Sequence, residues 1–277
     1  MIVYPFSFIQ NPASGGDADA TAYLAAVVAT GGTVDATITS AVNTLFTDLK
    51  TAGIYTKLDL LMPMVGATKA SMLLNAKDPT NSLWSWTEYD TTLTYVASGI
   101  TDNGNGVLKS NFMVSAFTQC VTGSYHFGIY YNRTTSGAYF SGFLNTQQIP
   151  YGFFNVASWN GTLYGGQFGG GPVFNAADTA TKGWWFAQRT AVNNASWYRD
   201  NTLKQNSTSS VTFHTIDPLR PICLFGLGWI GQGPNNLYTE GINGSMCTVT
   251  IGSSLTTTER TSLYNIITAF NTALSRN

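Results

Sequence analysis

The sequence predicts an all-β protein built as an antiparallel β-sandwich or jelly roll, with two short helices before the strands and one after them. Short apolar segments that end near Gly, Asn, Asp or Pro recur at near-regular spacing between residues 57 and about 255. No helical pattern is interleaved among them, which disfavours a parallel sheet. At 277 residues the chain is long enough to bury one large core.

The helices are predicted from apolar periodicity and terminal signals. Residues 17–28 carry acidic side chains in their first turn and are followed by Gly31 and Gly32. Residues 33–52 form an amphipathic pattern that ends before Gly53. The closing segment has Thr256 or Thr257 as its cap and Glu259 shortly after, which is close to a capping box. The helices that flank the strands are therefore predicted over 17–52 and 256–275.

Ten segments are predicted as strands. In chain order they read KLDLLMPMVG, KASMLLNA, LTYVASG, YHFGIYY, YGFFNVA, TLYGGQFG, GWWFAQRT, ASWYRDN, PICLFGLGWI and SMCTVTIG. No Pro-rich or charge-rich linker divides them, so residues 17–277 are predicted to form one domain. Residues 1–16 are set apart as an attachment arm that orders against a partner, with Tyr4, Phe6 and Phe8 as its apolar contacts.

Composition excludes several classes of function. Only 10% of residues are charged, and 13 basic against 14 acidic side chains leave a net charge of -1. A basic surface for nucleic acid is therefore not expected. No apolar run reaches the ~18 residues of a membrane helix, and the N-terminus lacks the positive segment of a secretory signal. We expect neither membrane insertion nor secretion by that route.

The three cysteines, Cys120, Cys223 and Cys247, lie far apart and have no metal-ligand spacing. We expect buried thiols rather than a zinc site or a disulfide framework, although one disulfide is conceivable. Asp102 opens the segment DNGNG, in which Asn-Gly pairs are typical of turns. A weak calcium site that uses Asp102 is the alternative, and we otherwise expect no cofactor.

Catalytic groups are sparse. Glu88 and Asp90 form the single i, i+2 acidic pair beside tryptophans, but Thr92 stands where a third acid would follow. The two histidines, His126 and His214, lie in aromatic or β-branched strand contexts that are typical of packed residues. We therefore assign no catalytic residue and predict that the protein is not an enzyme.

The segment GWWFAQRTAVNNASWYRDNTLKQNS, residues 183–207, concentrates aromatic side chains in a predicted hairpin. Strand alternation places Trp184 and Phe186 on one face and Trp185 on the other. The rings cannot all line one sugar platform, so most are assigned to packing. The candidate carbohydrate contacts are Trp197, Tyr198 and Trp185 of this segment and Trp159, which precedes it in the chain.

The order of several segments resembles structural proteins of tailed bacteriophages, including those of Bacteroidetes phages, that carry a concanavalin A-like or laminin G-like jelly roll. The matching segments are AVNTLFTDLKTAGIYTKLDLLMPMVGAT, ASMLLNAKDP, GITDNGNGVLKSNF, ASWYRDNTLKQNSTSS and IGSSLTTTERTSLYNIITAFNTALSRN. The resemblance covers roughly residues 20–277.

This resemblance implies a virion component: a capsid decoration or head-fibre protein, or a tail-associated adhesin. Such a protein is made in the bacterial host cytoplasm and carried on the particle, where it contacts other virion proteins and glycans of a host or mucosal surface. A homo-oligomer is expected, and a trimer suits a fibre or spike. Two alternatives stay open: a glycan depolymerase or endoglycanase on the same fold, and a purely architectural protein without a ligand.

Overall fold

The computed structural model describes residues 16–89, 93–102, 106–120, 123–133, 138–143, 154–159, 162–165, 174–177, 182–191, 193–208, 221–225, 227–228, 237–238 and 244–276. Within these residues the chain forms two large antiparallel sheets that share a buried core, with helices on the outer side of one sheet. The predicted antiparallel β-sandwich with few helices is confirmed.

The α-helices of the described residues are α1 (Ala18–Ala29), α2 (Ala36–Thr51), α3 (Lys69–Met72) and α4 (Thr257–Ala273). Among them, α1, α2 and α4 begin and end close to the predicted positions, whereas α3 was not predicted as a helix. Asp17 and Asp35 accept backbone hydrogen bonds at the starts of α1 and α2. Thr256, rather than Thr257, caps α4 in a capping box with Glu259, so the expected pairing is present.

The strands are short, as turn-rich sequence predicts. In chain order they are β1 (Leu58–Met62), β2 (Trp86–Tyr89), β3 (Leu93–Val96), β4 (Gly99–Asp102), β5 (Val107–Met113), β6 (Tyr125–Arg133), β7 (Ala138–Phe143), β8 (Phe154–Trp159), β9 (Thr162–Gly165), β10 (Phe174–Ala177), β11 (Lys182–Ala191), β12 (Asn194–Arg199), β13 (Thr202–Ser207), β14 (Pro221–Leu224), β15 (Leu227–Gly228), β16 (Leu237–Tyr238) and β17 (Gly244–Gly252).

The larger sheet has the strand order β13-β12-β11-β6-β17-β4-β3. Strand β1 pairs with residues 249–252 of β17, while β4 pairs with residues 244–246 on the same side. The smaller sheet has the order β10-β9-β8-β7-β14-β5-β2, and β15 pairs with β16 as a separate ribbon. Every described pairing is antiparallel, as expected when consecutive strands are joined by turns rather than by helices.

The central strands of the larger sheet are buried on both faces. The inner face of this sheet contributes Phe127, Ile129 and Val249 to a core that Leu108 and Phe112 of the smaller sheet complete. Its outer face lies beneath α1, α2 and α4, which contribute the apolar side chains Tyr23, Val27, Leu45, Phe46, Leu263, Ile267 and Phe270. These helices therefore form a second core with the outer face of the larger sheet.

One predicted strand is wrong. Residues 69–76, KASMLLNA, contain the helix α3 because Thr68 and Ser71 form a capping box at its start. Asn75 then uses its side chain as a partner for β1, since its Nδ2 donates to the carbonyl of Asp59 and its Oδ1 accepts from the amide of Leu61. A side-chain amide thus supplies the hydrogen bonds that a neighbouring strand would have made.

Other departures concern strand number. The segment PICLFGLGWI contains two strands, β14 and β15, and Phe225 between them has a left-handed φ of 64°. The strands β2, β4, β5, β7, β10, β13 and β16 were not among the ten predicted segments. Several of these are four residues or fewer, which is too short for an alternating pattern to stand out.

Candidate functional site

The aromatic hairpin of β11 and β12 is core, and its predicted carbohydrate contacts are corrected accordingly. Trp185 and Trp197 are 0% and 1% exposed and lie in the core between the sheets, with ring centroids 5.8 Å apart. Tyr198 is 7% exposed and lies beneath the helices, where the guanidinium of Arg260 is 3.8 Å from its ring centroid. None of these rings is accessible for stacking on a sugar.

The predicted alternation of this hairpin is confirmed. Trp184 and Phe186 face the helix layer, while Trp185 and Ala187 face the core between the sheets. Both sets are buried because the larger sheet is covered on both sides. The sequence pattern identified the two apolar faces correctly. It did not show that α4 covers one of them.

Several predicted residues fall outside the described structure. Tyr4, Phe6 and Phe8 of the predicted arm are among residues 1–15, which are outside the described residues, as are Asp90 and His214. Trp159 is the last residue of β8, and its side chain is likewise outside the description.

Asp102, the weak calcium candidate, is fully buried at the end of β4. Its Oδ1 accepts a hydrogen bond of 3.1 Å from the amide of Gly106, across residues 103–105, which are outside the described residues. This contact closes the connection from the larger sheet to the smaller one. Among the described residues, no group of three or more His, Cys, Asp or Glu side chains is placed to hold a metal ion.

Glu88 is held in a polar cluster at the edge of the sandwich. Its Oε2 lies 2.6 Å from Nζ of Lys69 and accepts a 3.0 Å hydrogen bond from the hydroxyl of Tyr95 on β3. The Glu88 side chain is only 12% exposed. Burial and the neighbouring Glu88 carboxylate together raise the pKa of Tyr95, so its hydroxyl stays protonated as a donor. The cluster joins the edges of the two sheets.

His126 is a packed residue, as predicted. It is fully buried, its ring stacks on Phe186 at 5.2 Å between centroids, and its Nδ1 donates to the carbonyl of Ser253 at 2.5 Å. Burial lowers the pKa of His126 to about 4. The imidazole is therefore neutral at physiological pH, with Nδ1 protonated.

The cysteines are also packed, as expected. Cys120, Cys223 and Cys247 are buried thiols, and none of these three described residues is in a disulfide. Burial raises the pKa of Cys120 and Cys247, the latter to about 12. Protonated, inaccessible thiols are poor nucleophiles and poor metal ligands.

Part of the outer face of the smaller sheet is accessible where β2 pairs with β5, although Val107 and Cys223 on the same face are 0% and 2% exposed. Trp86 and Phe112 turn into the core, so alternation turns Thr87, Tyr89, Lys109 and Asn111 outward. Asn111 is exposed, and Thr87, Tyr89 and Lys109 are half-buried. We call this surface, together with Ser85 just before β2, the open face.

Hydrogen bonds order the polar groups of the open face. Thr87 Oγ1 donates to Asn111 Oδ1 at 2.7 Å, and Asn111 Nδ2 donates to Ser85 Oγ at 3.2 Å. The backbone amide of Asn111 also donates to the carbonyl of Ser85 at 2.9 Å. Lys109 Nζ lies 5.6 Å from the centre of the Tyr89 ring. The face thus presents an aromatic ring beside hydroxyl, amide and ammonium groups held by rigid strands.

The groups of the open face can bind a polar ligand through hydrogen bonds and ring contacts. The Asp59 carboxylate is engaged elsewhere, since it accepts from the backbone amides of Thr118, Gln119 and Cys120. The acids and bases of glycoside hydrolysis are typically carboxyl groups, and none of the described open-face residues supplies one.

Sequence reasoning missed the open face because it followed tryptophans. The segments WTEY and VLKSNFM do not alternate apolar and polar residues, so the periodicity of a half-exposed strand is not visible in the sequence of either one. What the sequence could not show is that these two strands pair, with Thr87 directly opposite Lys109.

A groove of about 440 Å³ lies elsewhere, between α2 and α4. Its α2 wall carries polar side chains such as Thr37, Thr44 and Asp48, and its α4 wall carries Ile266 and Phe270. Among the described helices, none is long and apolar enough to cross a membrane.

The sequence matches no protein-family model and no curated protein. The structure is similar to that of botulinum neurotoxin type C, whose cell entry depends upon interaction with two ganglioside molecules. The TM-score is 0.50 at 10% identity, over 78% of this chain and 53% of that chain. The chain therefore spans about half of the toxin structure.

Two further structures have lower TM-scores. Domain 4 of AbnA, a GH43 extracellular arabinanase from Geobacillus stearothermophilus in complex with arabinotriose, has a TM-score of 0.47 at 15% identity, over 67% of this chain and 90% of that chain. Trypanosoma rangeli sialidase has a TM-score of 0.46 at 11% identity, over 82% of this chain and 39% of that chain. At these identities, what this protein shares with known structures is the β-sandwich fold.

Proposed function

We propose that the protein is a non-enzymatic carbohydrate-binding β-sandwich whose ligand lies on the open face. The proposal rests on a difference between the outer face of the larger sheet and the outer face of the smaller sheet. Helices cover the central strands of the larger sheet, whereas part of the outer face of the smaller sheet presents Tyr89 beside Thr87, Lys109 and Asn111. Because folds do not specify function, the proposal rests on these side chains rather than on the toxin likeness.

The chemistry of the open face matches that of a sugar. A pyranose ring has an apolar face of C–H groups, which packs on an aromatic ring, and a rim of hydroxyl groups, which exchange hydrogen bonds. Tyr89 supplies the ring, and the amide and hydroxyl groups of Asn111 and Thr87 supply donors and acceptors. These groups are already ordered by their own hydrogen bonds, so little side-chain entropy is lost on binding.

A non-enzymatic role is favoured over the depolymerase alternative by the position of Glu88. Its carboxylate is turned away from the open face and engaged by Lys69 and Tyr95. A retaining or inverting glycosidase needs two carboxyl groups that flank the same glycosidic bond. We expect no release of reducing ends from any bound polysaccharide, and the same result for a Glu88→Gln variant.

The place of action is proposed from the sequence resemblance alone. We propose that the domain is displayed on a bacteriophage particle, as a capsid or tail component attached through the arm of residues 1–16. Display in many copies would make weak binding useful, because avidity adds factors of about 10²–10⁴ without new contacts.

The test of the binding proposal is a glycan array followed by titration calorimetry with the wild-type protein and two variants. Tyr89→Ala is expected to abolish binding, whereas Tyr89→Phe keeps the ring and is expected to retain most of it. Equal melting temperatures of the three proteins would show that the loss is not due to unfolding. Full binding by a folded Tyr89→Ala protein would refute the proposed site.

A further inference from the structure

We propose that the open face selects acidic polysaccharides, whose sugars carry carboxylate groups, through the ammonium group of Lys109. This inference rests on the proposed carbohydrate-binding function and names the class of sugar. Three observations support the inference: the position of Lys109, the direction of the Glu88 carboxylate on the next strand, and the partial burial of Lys109.

Lys109 lies at the border of the open face, because Cys223, opposite it on β14, is only 2% exposed. In the smaller sheet β5 lies between β2 and β14, and Lys109 is opposite Thr87 on one side and Cys223 on the other. Its Nζ is 5.6 Å from the centre of the Tyr89 ring. A sugar that packs on Tyr89 would therefore place its substituents within reach of the ammonium group.

The charge of Lys109 is not neutralised by any described carboxylate. The ion pairs of the described residues engage Lys50, Lys57, Lys69 and Arg199 instead. Glu88, on the strand next to Lys109, turns to the opposite face of the sheet and pairs with Lys69. The described side chains of the open face thus comprise a ring, hydroxyls, amides and one cation.

The environment of Lys109 makes this charge useful for recognition. The lysine is half-buried rather than fully exposed, so an anion beside it is less screened than at an ordinary surface lysine. The ring of Tyr89 contributes its negative π-face but no net charge, which leaves room for one anionic group. A carboxylate on a sugar meets this requirement, whereas a neutral sugar leaves the ammonium group with only its water.

The experiment compares two pairs of polysaccharides, each consisting of an acid and an ester in which the carboxylate charge is removed. The first pair is polygalacturonic acid and its methyl ester, and the second is alginate and its propylene glycol ester. Titrations are made with the full chain and with EDTA present, so that calcium cannot cross-link the acidic forms. We expect the acidic member of at least one pair to bind about three- to fivefold more tightly, an advantage that shrinks as salt rises.

Substitutions of Lys109 test whether its charge causes the difference in affinity between acid and ester. Lys109→Gln is expected to remove the difference between acid and ester, and Lys109→Arg is expected to keep it. The matched control is Lys182→Gln, which removes the same charge from an exposed position on β11 of the larger sheet and should leave the difference unchanged.

The outcomes separate this inference from the function on which it rests. Equal binding of acid and ester, abolished by Tyr89→Ala, overturns acid selection and leaves carbohydrate binding intact. A preference for acid that survives Lys109→Gln also overturns the inference, because the selectivity then arises elsewhere. If the protein binds neutral sugars on the array but neither polysaccharide pair, acid selection is overturned and the proposed carbohydrate-binding function stands. If it binds no glycan at all, both the inference and the proposed function are refuted.

Discussion

The guanidinium of Arg276 donates a hydrogen bond of 2.7 Å from Nη2 to the carbonyl of Met64, which joins the end of the chain to the loop after β1. The same guanidinium donates to the carbonyls of Pro63, Cys247 and Ala97. Arg276 is 2% exposed, so a buried cation is stabilised by four backbone carbonyls of three separate segments. The described end of the chain is therefore part of the fold.

Arg276→Ala should destabilise the protein by about 3 kcal/mol, because four buried carbonyls lose a charged donor at once. Arg276→Lys should recover part of the loss, since an ammonium group reaches fewer carbonyls. The measurement is the urea concentration at half-unfolding, with deletion of Asn277 as the control. An unchanged midpoint for Arg276→Ala would show that the carbonyls find other partners.

His126 should make stability fall in mildly acidic solution. Its pKa is about 4 in the folded protein and 6.5 in the unfolded chain, so the unfolded state binds a proton first as pH falls. The stability contributed by the neutral imidazole is complete above pH 6.5 and declines towards pH 4, by about 3 kcal/mol in total.

The check is the free energy of unfolding measured at intervals between pH 7 and pH 4, for wild type and for His126→Gln. Carboxylates that titrate in this range affect both proteins, so the difference between the two curves isolates His126. A constant difference between the two curves would mean that protonation of the buried His126 ring does not destabilise the folded protein.

Trp197→Ala should lower the stability of the protein without removing a direct ligand contact. The ring is 1% exposed in the core beside Trp185, so its removal should leave a cavity and cost about 3–5 kcal/mol. Thermal unfolding measures this, and Trp197→Phe should cost less because it refills part of the space. A Trp197→Ala protein of normal stability that lost sugar binding would restore Trp197 as a ligand contact.

The turn between β12 and β13 should be sensitive to backbone strain. Asp200 and Asn201 both have left-handed φ values, 46° and 61°, as expected for a tight hairpin turn. Asn201 also bonds to α4, since its Oδ1 accepts from Arg260 and its Nδ2 donates to Thr261.

Asn201→Gly should lose the two bonds to α4 but relieve the strained backbone, whereas Asn201→Ala loses the bonds and keeps the strain. We expect the alanine variant to be less stable than the glycine variant by about 1 kcal/mol. Chemical denaturation of both variants compares them directly. Equal stabilities would argue that the left-handed turn is not retained after substitution.

Deletion of residues 1–16 tests the proposed attachment arm. The truncated protein should keep its melting temperature, because the cap of α1 begins at Asp17, and should fail to be incorporated into phage particles. Particle decoration is measured by binding of purified protein to particles that lack it. Normal incorporation of the truncated protein would move attachment to another surface.

The sequence alone was sufficient for features that depend on local physical chemistry. The start of α4 follows from Thr256 and Glu259, whose side chains bond to backbone groups close in sequence. The Asp200-Asn201 turn follows from residues that tolerate a left-handed backbone. The alternation of Trp184 and Trp185 follows from the geometry of a strand.

Tertiary structure decided which of these faces is covered and which is free. The rings of β11 and β12 looked like a candidate platform in sequence, but α4 covers one side and the smaller sheet covers the other. Conversely, Tyr89 and Lys109 become neighbours only because β2 pairs with β5, 20 residues apart in the chain. A single strand specifies the direction of each side chain, whereas burial depends on long-range packing that short sequence patterns do not encode.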